Sequence, residues 1–401
     1  MLGTDSRASA LRVRGAYLRV GVLTETQPGE RRVALTPETV KNLVSHGFTV
    51  AVQSGAGDAA SFQDQSYRDA GAEVHPSAEA VAELADILVR VSGPWDKDGV
   101  APVWGKPGSM FLSFLMPQTN PGVVDSLVKH QITGFSMDLI PRITRAQRMD
   151  ALSAMSTIAG YKASLLAASR LPKFFPLLMT AAGTVPPARV LVIGAGVAGL
   201  QAIATCKRLG ATVEAFDVRP AVKEQVESLG AKFVSMDIVL DDAQDASGYA
   251  KEVSGDTHAK ELDLIASRLT RNDVVITTAL IPGRPAPVLI TREMVGKMPR
   301  GGVIVDLAAP NGGNCEATVP GEEVVADGVT VCGPLHLLSE MAHDSSMMYS
   351  KNVAEFLMNL APEGQLKLDM EDQIIRDTMV THEGRIVHEP TRLLMQKEAG
   401  S

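Results

Sequence analysis

No turn in this sequence restricts the fold as tightly as Gly194-Ala195-Gly196-Val197-Ala198-Gly199. It follows the apolar run VLVI (190–193), opens a helical pattern over Val197 to Leu209, and precedes a second β-like run, TVEAFD (212–217). A three-glycine spacing alone is weak evidence. Placed between a strand and a helix in a βαβ unit, it reads as a dinucleotide fingerprint. Gly194 permits the tight turn, Gly196 lets backbone approach a pyrophosphate, and Gly199 lets the helix pack closely. The unpaired N–H groups and dipole of the helix N-terminus, from Ala195 through Val197 and Ala198, favour an anion.

Asp217 ends the second strand, about where the adenosine ribose of a dinucleotide would lie, and Val218 and Arg219 follow it. A carboxylate there accepts ribose hydroxyls, in charge-assisted bonds worth about 1.5–3 kcal/mol. A 2′-phosphate would meet repulsion of about 4 kcal/mol per unit charge pair at about 4 Å and an effective dielectric of about 20. The expected cofactor is therefore NAD(H) over NADP(H). Arg219 is the counterweight, and either meets a phosphate or pairs locally; local pairing is the expectation. Two loops would line the rest. ALIPGRPAP (279–287) follows the strand VVITT (274–278), which puts Thr278, Ala279, Leu280 and Pro282 at a carboxyl strand end, where such sheets bind ligands. Asp241 to Thr257 is polar and reads either as a solvent loop or as a flap with Tyr249 as a contact.

The whole chain repeats this alternation. LRVGVL (18–23), FTVAVQ (48–53), ILVRV (87–91), SMFLSFL (109–115), QITGFSM (131–137) and VIVDL (303–307) read as strands. Between them, Pro37 to His46 (Thr36 as N-cap), Ser66 to Ala70 and Asn120 to His130 read as helices. The expected class is α/β, with two Rossmann-like domains of parallel sheet. A bridging helix over Asp150 to Arg170 and another over Met341 to Leu360 suggest an inserted layout. Residues 1–18 would be an extension, 19–145 with 345–401 a discontinuous first domain, and 146–344 the NAD(H)-binding domain.

Composition narrows the partners. The 38 Lys+Arg against 46 Asp+Glu give a net charge of −8, which argues against nucleic acid or an anionic lipid surface. No segment reads as a membrane span, because Phe174 to Cys206 is broken by Pro176, Pro186, Pro187 and Arg189. The N-terminus lacks the apolar core of a secretory signal. Cys206, Cys315 and Cys332 form no pairwise motif and read as buried residues of a reducing compartment. His336 and His343, seven apart without further ligands, give no metal site.

RVLVIGAGVAGLQAIATCKRLGATVEAFDVRPAVKEQVESLGAKF (189–233) resembles the NAD(H)-binding domain of the proton-translocating NAD(P) transhydrogenases. So do TALIPGRPAPVLIT (278–291), DLAAPNGGNCE (306–316), GERRVALTPETV (29–40) and PRITRAQRMDALSAMSTIAGYKA (141–163). Most of these segments are shared with alanine dehydrogenases, whereas the arginine–glutamine–aspartate segment is specific to transhydrogenases. The resemblance implies that Arg142, Gln147, Asp150 and Ser153 lie beside the nicotinamide, and that Tyr249 belongs to a mobile loop. From the residues alone, Thr144 to Gln147 reads equally as a helix capping box, with Asp150 complementing the dipole. At spacings of three, Gln147, Asp150 and Ser153 would share a broad polar face of one helix. Hydride transfer between two nicotinamides needs held rings and excluded water, not a general acid or base.

The rival alanine dehydrogenase pattern lacks its machinery. Ser92 stands at its substrate lysine, Met116 at its histidine and Pro310 at its aspartate. Leu338 and His336 also depart from the transhydrogenase pattern, in a region expected at a domain junction or dimer contact. The resemblance implies a component that binds NADH and passes hydride to NADP+ on a partner. Other chains would carry NADP(H) binding and proton translocation. A homodimer is implied, cytoplasmic and peripheral to the inner membrane through those partners. A regulator that binds NAD(H) without turnover is the alternative from another class.

Overall fold

The computed structural model describes residues 17–93, 103–235, 255–280 and 285–399. The chain divides into two compact units, Met1–Ala151 with Ser346–Ser401, and Leu152–Ser345.

In the second unit a seven-stranded sheet runs, edge to edge, Lys232–Val234, Thr212–Phe216, Arg189–Ile193, Val274–Thr277, Val303–Asp306, Val329–Cys332 and Glu323–Ala326. All neighbours are parallel except the last pair. The central strands are apolar in their middles, VLVI, VVI and VIV, because both faces are covered. Side chains alternate across a strand. Val190 and Val192 therefore join Ala163, Ala167, Ala202 and Ile203 on one face, and Leu191 and Ile193 join Ile265, Leu269 and Met294 on the other. The helices behind these residues are Ala151–Arg170 and Val197–Arg208 on the first face, and Gly255–Leu269 and Arg292–Val295 on the second. All three cysteines are buried and free, and burial pushes their thiols up to about 11.

In the first unit the sheet has eight strands, in the order Glu73–His75, Thr49–Gln53, Arg19–Val22, Ile87–Ser92, Met110–Phe114, Thr133–Ser136, Met379–His382 and Arg385–Ile386. The first six are parallel, and the C-terminal two add antiparallel. Both sheets are thus mixed, with parallel pairing dominant, instead of purely parallel. Each places its chain-first strand in the middle and winds outward from it in both directions.

One local expectation changes, and two local features are new. Thr36 does precede the helix Pro37–Ser45, but its hydroxyl meets Thr39 Oγ1 at 3.2 Å and Ser350 Oγ at 3.3 Å instead of capping. The segment before Pro186 is a short antiparallel hairpin, Leu178–Thr180 with Gly183–Val185. Leu18 is buried and its N–H donates to Gly364 O at 2.7 Å.

Gly160 shows how tightly the second unit is built. A Cβ there would lie 2.1 Å from Ala198 O, at the start of the neighbouring helix. On a free helix, alanine would gain about 1 kcal/mol over glycine. Here the backbone collision dominates, at about 1–3 kcal/mol for overpacking. Gly160→Ala is expected to lower the urea midpoint of unfolding; a rise would mean that the two helices are not in this contact.

Candidate functional site

Arg189–Ile193 and Val274–Thr277 are parallel neighbours, and Ile193 is level with Thr277. One strand leads to a crossover on one side and the other to the opposite side, so their carboxyl ends part and leave a crevice. Gly194 and Thr278 are the first residues beyond those ends. Gly194 has φ +93°, a left-handed conformation that favours glycine. Thr278 Oγ1 donates to Gly194 O at 3.0 Å and ties the two loops together. A Cβ on Gly199 would lie 1.8 Å from Gly194 O, whereas a Cβ on Gly196 would meet nothing within 4 Å. The backbone at Gly196 thus faces open space at the head of the helix Val197–Arg208, beside Ala195, Val197 and Ala198.

Asp217, only 8% exposed, turns back onto this loop. It accepts from Ala195 N at 2.7 Å, Arg219 N at 2.8 Å, Arg219 Nε at 2.8 Å and Arg219 Nη2 at 2.7 Å. Arg219 therefore pairs locally. Val218 packs against the apolar cluster beneath. Glu261, buried on the helix Gly255–Leu269, lies near enough for Asp217 to raise its pKa further. Burial is the larger cause of that rise, and His258, 3.0 Å away, opposes it. The helix starts at Gly255, inside the span expected to be a loop. Tyr249 and Pro282 lie outside the described residues.

The loop after Thr278 is held by a residue whose role the sequence did not disclose. Asn314 accepts from Ala279 N at 3.0 Å and donates to Ala279 O at 2.9 Å and Pro287 O at 2.8 Å. Asp306, fully buried, fixes Asn314 N at 2.8 Å and also accepts from Thr277, Ala308, Cys315 and Thr318. Leu280, next in the loop, is exposed. The segment DLAAPNGGNCE carries this network, but its letters show only a polar, glycine-rich turn.

Arg142, Gln147 and Asp150 lie in the first unit, and Ser153 in the second. They do not share one helix. Thr144–Met149 is a 3-10 turn, Asp150 has ψ 83° and is not helical, and the α-helix begins at Ala151 with Ser153 in its first turn. The capping-box reading fails as well, since Ile143 precedes the turn and no side chain caps it. Arg142 and Gln147 are exposed, and Asp150 and Ser153 are partly buried.

The first sheet has its own reversal, between Arg19–Val22 and Ile87–Ser92. Beyond those strands lies a charged cluster not foreseen from the sequence. Glu25 accepts from Val91 N at 2.6 Å and Ser92 N at 3.2 Å. Ser92 Oγ donates to Glu30 at 3.2 Å, and Glu30 is paired with Arg32 at 2.5 Å. Glu25 keeps some exposed surface, yet burial of its carboxyl pushes it up to about 7, against the pull of Arg90 and with a push from Glu30. Met116 is exposed with φ +48°, and Pro310 lies in the short turn Ala309–Asn311.

Residues 21–159 match the model for the N-terminal domain of alanine dehydrogenase/PNT, and residues 163–389 match the model for its C-terminal domain. The chain is 47% identical to the first portion of the NAD(P) transhydrogenase subunit alpha of Rhodospirillum rubrum, over 92% of this chain and 98% of that one. It is 28% identical to the alanine dehydrogenase of Mycobacterium tuberculosis, over 93% of this chain and 95% of that one. A crystal structure of transhydrogenase from Sinorhizobium meliloti superposes with TM-score 0.82 at 42% identity, covering 92% of this chain and all of that one.

The Glu25 cluster makes a measurable demand on pH. The folded carboxyl keeps its proton up to about pH 7, and the free one loses it near 4.5. Folding is therefore favoured on the acid side, and this contribution is lost as pH rises between those values. Glu25→Gln should flatten the fall in urea midpoint between pH 5 and pH 8 (about the window of the shift). Equal slopes for the two proteins would show that Glu25 is not the titrating group.

Proposed function

The chain belongs to the alanine dehydrogenase/PNT family, among its NAD(P) transhydrogenase alpha subunits, and from that premise we propose that it binds NAD(H) for direct hydride exchange with NADP(H) held on a partner component. The observation that carries the reading is the bare backbone at Gly196, open where a Cβ would sit, at the head of a helix and above a strand crevice. That cradle fits a pyrophosphate. NADH, when bound, supplies the hydride.

On this reading the N–H groups at the helix start, Gly196 to Gly199, hold the pyrophosphate, Gly194 and Ala195 shape the turn before them, and Asp217 accepts the ribose hydroxyls. Val218 and Arg219 flank that corner. Thr278, Ala279 and Leu280, with Tyr249 and Pro282, line the nicotinamide end. Arg142, Gln147, Asp150 and Ser153 orient the carboxamide and ribose and keep water out. None of these roles moves a proton, which suits a transfer whose demands are proximity and dryness. The alanine dehydrogenase chemistry lacks support here, because Ser92, Met116 and Pro310 stand where its lysine, histidine and aspartate would be.

The sequence holds one dinucleotide fingerprint, which supports placing NADP(H) on a second component. Among the described residues no helix is long and apolar enough to cross a membrane. We assign proton translocation to a separate membrane subunit, and this chain to the cytoplasmic face of the inner membrane through its partners. Exposed Phe174, Leu177 and Met179 (81% exposed), on and before the hairpin, favour a homodimer.

The reading is tested by mixing. Hydride transfer from NADH to an oxidised NADP analogue should need both this chain and a matching NADP(H)-binding component. Tight NADH binding without transfer in the mixture would point instead to a regulator, and NADH oxidation dependent on pyruvate and ammonium to an alanine dehydrogenase. Gln147→Ala should slow transfer by about 10-fold or more and change NADH affinity by less than about 3-fold; equal losses would refute its role. Asp217→Ala should weaken NADH binding by about 10- to 100-fold, as expected for loss of charge-assisted bonds. Unchanged NADH affinity and cofactor preference would sink the assignment of Asp217.

A further inference from the structure

The turn Thr144–Met149 has a property that an α-helix would not give it. A 3-10 helix repeats every three residues, so positions three apart stack in columns. One column is Ala146 and Met149, both buried. A second is Arg145 and Arg148. The third is Thr144 and Gln147, and it leads to Asp150, whose N–H reaches Gln147 O at 3.3 Å. The turn thus has one face for the core, one of arginines and one that carries Gln147.

The arginine column is fastened to the C-terminal part of the same unit. Arg145 Nη1 donates to Asp372 Oδ2 at 3.0 Å and to Asn359 Oδ1 at 3.1 Å, and Nη2 donates to Asp372 Oδ1. Asp372 is itself fixed. It caps the helix Gln373–Thr378 by accepting from Ile374 N at 2.9 Å, and it accepts from Asn359 Nδ2 at 3.2 Å. The guanidinium is the first cause that holds the Asp372 carboxyl down at about 2. Arg148 is different. Its side chain is 81% exposed and touches Glu355 at 3.2 Å, a surface ion pair of small worth, while its carbonyl accepts from Asn352 Nδ2 at 2.8 Å. Asn352, Glu355 and Asn359, spaced three and four apart on the helix Ala342–Leu360, form the rail along which the turn is held.

We propose that Arg145, bound to Asp372, is a positioning residue for hydride transfer: it fixes the rotation of the turn and so the direction in which Gln147 and Asp150 are presented. The proposal rests on the reading that those two residues act on NAD(H). Its chemistry requires a fork. A planar guanidinium sets both distance and orientation against a carboxylate, and an ammonium sets distance only. Lysine at 145 would keep the charge and lose the rotational constraint.

The test uses the full chain with a matching NADP(H)-binding component. Single-turnover hydride transfer, NADH affinity and urea midpoint are measured for Arg145→Lys, Arg145→Ala, Asp372→Asn and the double variant Arg145→Ala/Asp372→Asn, with Gln147→Ala as control. Both Arg145 variants should slow transfer by about 10- to 100-fold, as expected for a small misplacement of a reacting geometry. NADH affinity should stay within about 2-fold and the urea midpoint near that of the unaltered chain, since the Arg145 side chain is about half exposed. Asn at 372 keeps an oxygen for the helix cap, so it isolates loss of the fork. The double variant should be little slower than Arg145→Ala. Unaltered transfer in Arg145→Ala, or parallel losses in transfer, affinity and midpoint, would overturn the positioning role. If Arg145→Ala fails to fold, Arg145→Lys decides the same question. A slow Gln147→Ala beside a fast Arg145→Lys rejects only the positioning proposal, and a fast Gln147→Ala rejects it together with the reading beneath it.

Discussion

The second unit depends on a reversal of winding between two parallel strands. Arg189–Ile193 and Val274–Thr277 lie side by side in register. The helix after the first covers one face, and the helix before the second covers the other. Loops leaving such a pair must diverge, and the gap between them lets backbone meet a ligand without displacing core. The remaining features follow from keeping that gap narrow. Gly199 lets the helix come down to Gly194 O, Gly160 lets a second helix press on Ala198 O, and Thr278 binds the two loop bases. A methyl group at either close contact would move the helix that presents Gly196. Asp306 and Asn314 play the same part on the far side, where side-chain bonds hold a loop that has no regular ladder.

The turn at Thr144–Met149 solves a different problem. A loop that must hold several polar groups outward needs anchors of its own, because polar residues in water supply none. An α-helix would have offset Asp150 from Gln147 by about 60° around its axis. The tighter turn stacks like with like. The buried column supplies adhesion and the arginine column supplies orientation. The same segment then passes through Asp150 into the long helix Ala151–Arg170.

The sequence is most legible where one local rule decides the outcome. Apolar runs such as VLVI and VVIT leave a strand little choice, and the glycine turn follows from spacing and context. Legibility falls where pairing is remote or the element is short. Met379–His382 joins the first sheet beside Thr133–Ser136 through bonds such as Gly134 N to Thr381 Oγ1, 247 residues apart. Leu178–Thr180 and Arg385–Ile386 are too short to show a period. The register of Gln147 fails for another reason: spacing of three is equally a property of α and 3-10 geometry, and the choice is made by Asp372 and Asn359, more than 200 residues downstream. The Glu25 cluster is invisible for a similar reason, since Glu25, Glu30 and Ser92 meet only once two strands are side by side.

At the Asp217 corner the structure replaces the physical reason behind an expected preference. From sequence, preference for NAD(H) rests on repulsion between a bare carboxylate and a 2′-phosphate. In the structure the carboxylate is not bare: Arg219 lies on it with two side-chain bonds, and Ala195 N donates to it as well. The local charge is near balance, and simple repulsion no longer decides. The cost has moved to Arg219. For Arg219 to turn its paired Nε and Nη2 edge to a 2′-phosphate, it must leave Asp217, which is 8% exposed. Stripping the partner from a buried charge costs about 3–5 kcal/mol, more than the ~1.5–3 kcal/mol of a new charge-assisted bond. A 2′-hydroxyl asks for much less. It shares or replaces one of the four bonds that Asp217 already accepts and leaves the rest of the Arg219 pair in place, so discrimination on this reading comes from what the phosphate would have to break.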